Sequence, residues 1–333
     1  MPETLTNPCL SARRAHLRTG TWSRGRWGLI VGLWLTGCSI GLLSAQSKPS
    51  GEIMRFGFSQ SMFGGVNTND AQAAMMVWAD TIASERGIAV SPSVLFLDDV
   101  PAIARALDDH RVEAVTVTVA EYWEIRQSKL IGPLIMGAAD EDLEEEYLLL
   151  VNIDGTVKSL ADLKGRSLSV WQSARTGIGE TWLEVQVLEN NLGNPASFWG
   201  TVNRHTKLSQ VVLPVFFGQV AACLVTRKGF EVLQELNPQL GRKLVPIARS
   251  PAYIPSLFFF RGDFHSPNLP RMIEVFVDVG NAPAGQQTLT LFQQTNLMEG
   301  KPADLDVTCA LLDRHYELTT GSKPPPPFAG DTP

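Results

Sequence analysis

Residues 167–188 read SLSVWQSARTGIGETWLEVQVL. Leu168, Val170 and Trp171 read as the end of a strand, and Glu180 to Leu188 as a helix, so the polar stretch between them is a strand-to-helix turn. Such a turn aims backbone N–H groups and the positive end of a helix dipole at whatever lies above it, which favours an anion. Ser173, Arg175, Thr176 and Gly177 are its candidate ligand contacts. A dinucleotide fingerprint needs a third glycine after Gly177 and Gly179, where Trp182 stands, and the Gly-Lys-Ser/Thr of a Walker-type loop is absent. A capped helix start with no ligand is the competing reading.

Outward from this turn the chain alternates strands and helices. Ile53 to Phe58, Val94 to Leu97 and Ala114 to Val119 read as strands, with Asp70 to Ser84 and Val100 to Leu107 as helices between them. From Tyr147 the order begins again: a strand to Val151, a short helix from Ser159 to Leu163, the strand at Ser167, and the helix at Glu180. A helix from Ser209 to Phe217 and a strand from Val220 to Val225 follow. Leu257 to Phe260 returns as a strand, and Met272 to Asn281 and Gly285 to Gln294 are helical. This is an α/β chain, two similar halves with a late helical return, which suggests two lobes and a cleft. Glu141 to Glu146 reads as a solvated acidic patch, and Phe63 to Asn67 as a glycine-rich lip over the cleft. Lys323 to Pro327 starts an extended proline tail.

At 333 residues, 44% hydrophobic and 19% charged, the chain has an ordinary globular composition with room for about two domains. A net charge of −6 argues against a nucleic-acid partner, because backbone binding needs a basic face. The N-terminal segment stands apart. Arg13, Arg14, Arg18, Arg24 and Arg26 precede the uncharged run Trp27 to Ala45, the pattern of an export signal or membrane anchor. Within it, Leu35-Thr36-Gly37-Cys38 resembles a bacterial lipobox, so lipidation at Cys38, cleavage after Ala45 and retention as one spanning helix all stay open. Each route puts residues 46–333 outside the cytoplasm, in the periplasm or on the outer face of the cytoplasmic membrane. Cys223 and Cys309 are the cysteines of that exported part; one disulfide and two free thiols are both open. No His or Cys spacing calls for a metal, no cofactor is expected, and no G-x-S-x-G or H-E-x-x-H motif calls for catalysis.

The stretch Ser159-Leu160-Ala161-Asp162-Leu163-Lys164-Gly165-Arg166-Ser167-Leu168-Ser169-Val170 resembles the opening of the second lobe of bacterial periplasmic solute-binding proteins. Thr176-Gly177, His205, Gly218-Gln219-Val220-Ala221-Ala222 and Ser250-Pro251-Ala252-Tyr253-Ile254-Pro255 follow in that family's order. Together they resemble the phosphonate-binding branch of ABC-importer binding proteins. The resemblance implies a two-lobe, Venus-flytrap fold of type 2, with two mixed sheets flanked by helices and joined by two crossing strands, near Tyr147 to Val151 and Leu257 to Phe260. It implies lobe 1 over 46–147, lobe 2 over 148–250, a return to lobe 1 over 251–320, and the tail from 321. It also implies a monomeric receptor that binds a small anion in the cleft and delivers it to an ABC permease.

Its site residues carry over unevenly. Thr118-Val119-Ala120-Glu121-Tyr122 keeps the family's Tyr as Tyr122 and lacks its Gly-Pro, and Ala174-Arg175-Thr176-Gly177 stands where the family has Ser-Thr-Ser-Gly. His205 matches the family His, and Arg227, after the strand ending at Val225, replaces a family carboxylate. That exchange disfavours a 2-aminoalkylphosphonate. Ser59 and Ser61, after the first strand, fall on the sheet edge where open α/β folds bind ligands. A sensor or scaffold using the same fold with an altered cleft is the alternative function.

Overall fold

The computed structural model describes residues 52–63, 67–127, 131–139 and 142–326. The Cys38 lipobox, the basic segment before it and most of the Phe63–Asn67 lip lie outside the described residues.

The chain first lays down β1 (Glu52–Ser59), α1 (Thr68–Glu85), β2 (Val90–Leu97), α2 (Val100–Asp108), β3 (Ala114–Thr118), α3 (Val119–Ile125) and β4 (Ile131–Ala138). It then crosses to β5 (Glu145–Asn152), β6 (Ser167–Trp171), α4 (Gly177–Glu189), α5 (Pro195–Phe198), β7 (Thr201–His205), α6 (Leu208–Phe216), β8 (Ala222–Thr226), α7 (Arg227–Leu236), α8 (Pro238–Lys243) and β9 (Leu244–Tyr253). It returns through β10 (Ser256–Arg261), α9 (Leu269–Val277), α10 (Pro283–Leu291), β11 (Asn296–Gly300) and α11 (Asp306–Thr320).

The strands form two sheets, ordered β11-β4-β10-β3-β1-β2 and β7-β6-β8-β5-β9. Both are mixed: β1 pairs in parallel with β2 and β3, β10 runs antiparallel to β3 and β4, and β5 runs antiparallel to β8 and β9. The expected α/β class with two mixed sheets and flanking helices is the observed one. The crossings differ in place. Tyr147–Val151 and Leu257–Phe260 each lie wholly inside one sheet, and the chain changes sheet between the end of β4 and the start of β5 and at Ile254-Pro255. The expected lobe boundary after residue 147 falls inside β5, because that strand is hydrogen-bonded to β8 from Tyr147 onward.

Local chemistry explains where the helices start. Asp99 accepts the Ala102 N–H at 2.7 Å to cap α2, with Pro101 in the first turn, where its missing N–H costs nothing. Thr226 caps α7 through the Gly229 N–H at 3.1 Å, and Gly229 is required there because a Cβ would lie 2.8 Å from the Trp171 ring. A continuous apolar core then joins the two sheets, running from Val117, Val119 and Phe259 through Tyr147, Leu149 and Tyr253 to Ile178, Trp182 and Leu183.

α11 straps the outside of this junction. It packs on both α3 and α4. Toward the first sheet, Asp313 accepts from Trp123 Nε1 at 2.8 Å and from Arg126 at 2.6 Å; toward the second, His315 meets Glu184 at 2.7 Å and Arg314 meets Glu189 at 2.8 Å. Thr308 Oγ1 accepts the N–H of Ile254, in the crossing itself, at 2.9 Å. Cys223 and Cys309 are both free, the first buried in β8 and the second half-buried in α11.

Two outcomes follow. Asp313→Ala leaves the buried Arg126 guanidinium without its anion and should cost about 1–2 kcal/mol of stability in urea unfolding. Burial pushes both thiols up, but Cys223 is fully enclosed and Cys309 is partly exposed, so peptide-level mass spectrometry after alkylation of the native protein should find Cys309 modified well before Cys223, which should stay intact until denaturant is added.

Candidate functional site

The topology fixes where a ligand can sit. β1, β3 and β4 run parallel and end at the edge from which the chain leaves for the second sheet. β6, β7 and β8 run parallel to one another and end at the edge where β5 begins. The two C-terminal edges therefore meet at the crossings, where open α/β sheets bind their ligands.

On the second sheet this edge carries the turn from Gln172 to Thr176. Thr176 is the N-cap of α4, yet its hydroxyl serves the turn instead of the helix: Oγ1 accepts the Ser173 N–H at 2.9 Å and donates to the Ser173 carbonyl at 3.1 Å. That closes the turn and leaves Thr176 making no side-chain cap bond to α4. The Gly177 N–H meets no acceptor among the described residues, and a Cβ built on Gly177 would meet nothing within 4 Å. The turn thus presents an open donor at the positive end of a helix of 13 residues. His205, the last residue of β7, pairs in register with Trp171; its backbone carbonyl accepts from Gln172 at 2.9 Å, and its ring makes no hydrogen bond among the described residues. The Ser173 hydroxyl accepts the Arg175 N–H at 3.3 Å and keeps its own proton to give.

Arg175 behaves otherwise than expected of a ligand contact. It is 2% exposed; its Nε donates to Glu145, Nη1 donates to the Gly137 carbonyl at 3.2 Å, and Nη2 donates to the Leu143 carbonyl at 3.5 Å. The guanidinium crosses from the second-sheet turn to the segment joining the sheets and is engaged there. Glu145 is only 3% exposed, which corrects the reading of Glu141 to Glu146 as wholly solvated. Its neighbour Glu146 faces the other way, toward Arg227 and Arg249, as alternation along a strand requires. Tyr147 completes the knot by donating its hydroxyl to the Arg175 carbonyl at 2.8 Å; burial, then the Glu145 charge, push its phenol up and keep it a donor.

On the first sheet, Ser59 and Ser61 do reach the edge, but with a resident partner. Both hydroxyls bond Glu121 Oε1, at 2.5 and 2.8 Å, and lie 2.7 Å from each other. Tyr122 points elsewhere: it is buried, edge-on to Phe259 with ring centroids 6.4 Å apart, and burial and then nearby Cys309 raise its phenol. One residue is about 100° around a helix, so a helix that offers Glu121 to the edge turns Tyr122 into the core. Arg227 follows the end of β8 on the second-sheet edge but is engaged by carboxylates. It pairs with Glu231 at 2.9 Å and Glu146 at 3.4 Å and lines an acidic groove of about 400 Å³ with Asp142, Glu144, Asp304 and Met298, beside the edge strands β9 and β11.

The structure therefore brings Ser173, Gly177 and His205 together on one sheet edge and Ser59 and Ser61 on the other, and turns Tyr122, Arg175 and Arg227 to other partners. No group of three or more His, Cys, Asp or Glu side chains able to hold a metal occurs among the described residues.

A family model for phosphonate periplasmic substrate-binding proteins of ABC transporters matches residues 66–305. The chain belongs to this family. Solved structures agree in fold. The chain resembles PhnD1 from Prochlorococcus marinus in complex with methylphosphonate, at 13% identity and TM-score 0.52 over 78% of this chain and 97% of that one. It resembles the binding protein component of an ABC phosphonate transporter, PA3383 from Pseudomonas aeruginosa, at 15% and 0.54 over 81% and 89%. XAC2383 from Xanthomonas citri, bound to ATP, matches at 15% and 0.57 over 80% and 98%. No curated protein matches the chain by sequence.

Two residues at these sheet edges escaped the sequence reading, Glu121 and Glu145. Glu121 had a legible signal: Thr118-Val119-Ala120-Glu121 is a capping-box pattern, and the structure forms both of its bonds. Glu145 had none beyond its place in an acidic run.

Arg175→Ala should destabilise the protein by about 3–5 kcal/mol in urea unfolding, because it leaves the Glu145 carboxylate buried without a counterion. Arg175→Ala with Glu145→Gln should recover part of that loss. An arginine standing free in a cleft would show neither effect.

Proposed function

We propose that this chain is the extracytoplasmic receptor of an ABC importer and that its cleft holds a small oxyanion, such as phosphonate, phosphite, phosphate or a phosphate ester. Membership of the phosphonate family supports the transport role, a periplasmic location and a permease partner. The observation that carries the oxyanion is the start of α4, where Thr176 makes no side-chain cap bond, with the Gly177 N–H, the Ser173 hydroxyl and a His205 ring that has no hydrogen-bond partner among the described residues on one edge. Donors of this kind, at the positive end of a helix, stabilise an anion without a metal. The receptor works by binding and release, with no catalytic step, and is held at the membrane by its N-terminal signal or a lipid on Cys38. Lobe closure stabilises the bound state only to the extent that the ligand touches both sheets at once.

A sensor or scaffold role has one observation in its favour: Arg175 and Arg227, the cations that would reinforce an anion site, are paired with carboxylates. The absence of stabilisation by any anion would select that role.

Thermal unfolding of residues 46–333 against phosphate, phosphite, sulfate, methylphosphonate and a few phosphate esters decides between the two. A ligand at about a hundred times its Kd adds about 2.7 kcal/mol and should raise the midpoint by about 5 °C in a protein of this size. His205→Ala should leave the unliganded midpoint within about 1 °C and weaken that ligand about tenfold.

A further inference from the structure

Glu121 does more than cap a helix. The cap requires one carboxylate oxygen: Oε2 accepts from the Thr118 N–H and from the Thr118 hydroxyl, each at 2.9 Å, and the Glu121 N–H returns to Thr118 Oγ1 at 3.2 Å. Oε1 is left over by that arrangement, and it is the oxygen taken by two serines some 60 residues away in sequence, Ser59 and Ser61. Ser59 is fully buried at the C-terminal end of β1, so its hydroxyl is fixed in place facing the carboxylate. Four donors, from the end of β1, the turn after it and the end of β3, converge on one pair of oxygens. That set, two serine hydroxyls, a threonine hydroxyl and a backbone N–H, is what a desolvated oxyanion needs from a protein, and here an acid of the chain supplies the oxyanion itself.

We propose that Glu121 is a resident occupant of the first-sheet oxyanion nest and determines the specificity of the cleft. Its carboxylate excludes free oxyanions from that half, so a ligand's oxyanion end is confined to the Gly177 and His205 edge. It also sets a negative charge opposite, so the ligand's other end carries a hydrogen-bond donor, a hydroxyl or an ammonium. The confinement to the second edge rests on the oxyanion reading above; the occupied nest stands without it.

The test is thermal unfolding of the full chain and of Glu121→Ala in methylphosphonate and in inorganic phosphate, with chloride at matched ionic strength as control. Glu121→Ala should gain a saturable stabilisation by at least one of these anions, at a concentration at least tenfold below any response of the parent protein. The gain should persist when His205→Ala is added, because it arises at the other edge. Equal responses of parent and variant, or a folded variant that responds to neither anion, overturn the proposal. Should Glu121→Ala not fold, Glu121→Ser, whose hydroxyl still serves the cap, carries the same comparison with the same two outcomes. A silent parent with a responsive variant would remove the oxyanion receptor reading and leave the nest intact.

Discussion

The buried pair of Arg175 and Glu145 organises the junction on which the rest of the fold depends. A two-sheet chain must cross between its sheets, and every crossing leaves backbone carbonyls that no ladder satisfies. Arg175 reaches from the second-sheet turn to the carbonyls of Gly137 and Leu143, on either side of the crossing, while its charge is matched by Glu145 at the start of β5. The same residue fixes the turn, since its own carbonyl receives the Tyr147 hydroxyl. The Ser173–Gly177 turn and the link between the sheets are thus held by one residue.

This arrangement explains how the chain departs from the pattern of the family to which it belongs. Where that pattern places hydroxyls in the phosphonate turn, an arginine has entered, and the structure uses its length to span the crossing. Where the pattern's tyrosine would face the ligand, the helix offers Glu121 and buries Tyr122 against Phe259. Both departures exchange a ligand-facing group for a contact internal to the protein. What stays without a partner on the second-sheet edge, among the described residues, is the Gly177 N–H and the His205 ring.

Much of the fold was legible because it rests on local signals. The turn at Ser173 to Gly177 and the order of strands and helices follow from periodicity over a few residues. β4, β7, β9, β11 and α11 were not read from the sequence; β4 and β11, IGPLIMGA and NLMEG, carry glycine and, in β4, proline, and they become strands because they pair with each other and β4 also pairs with β10. The side chains of the site were less legible for a related reason. Whether Arg175 faces solvent, ligand or carbonyl depends on a segment more than 30 residues earlier in the chain, and Glu145 and Glu146 look alike in sequence although pleating sends one inward and one outward.

The position of α11 has a mechanical consequence. The helix is bonded on one flank to α3 and on the other to α4, and it also holds the crossing at Ile254. A shift of one sheet against the other must move this helix against at least one of its flanks, so the contacts of α11 couple the two sheets. A substitution on either flank of α11 therefore alters how the sheets are held to each other without touching the Gly177 turn.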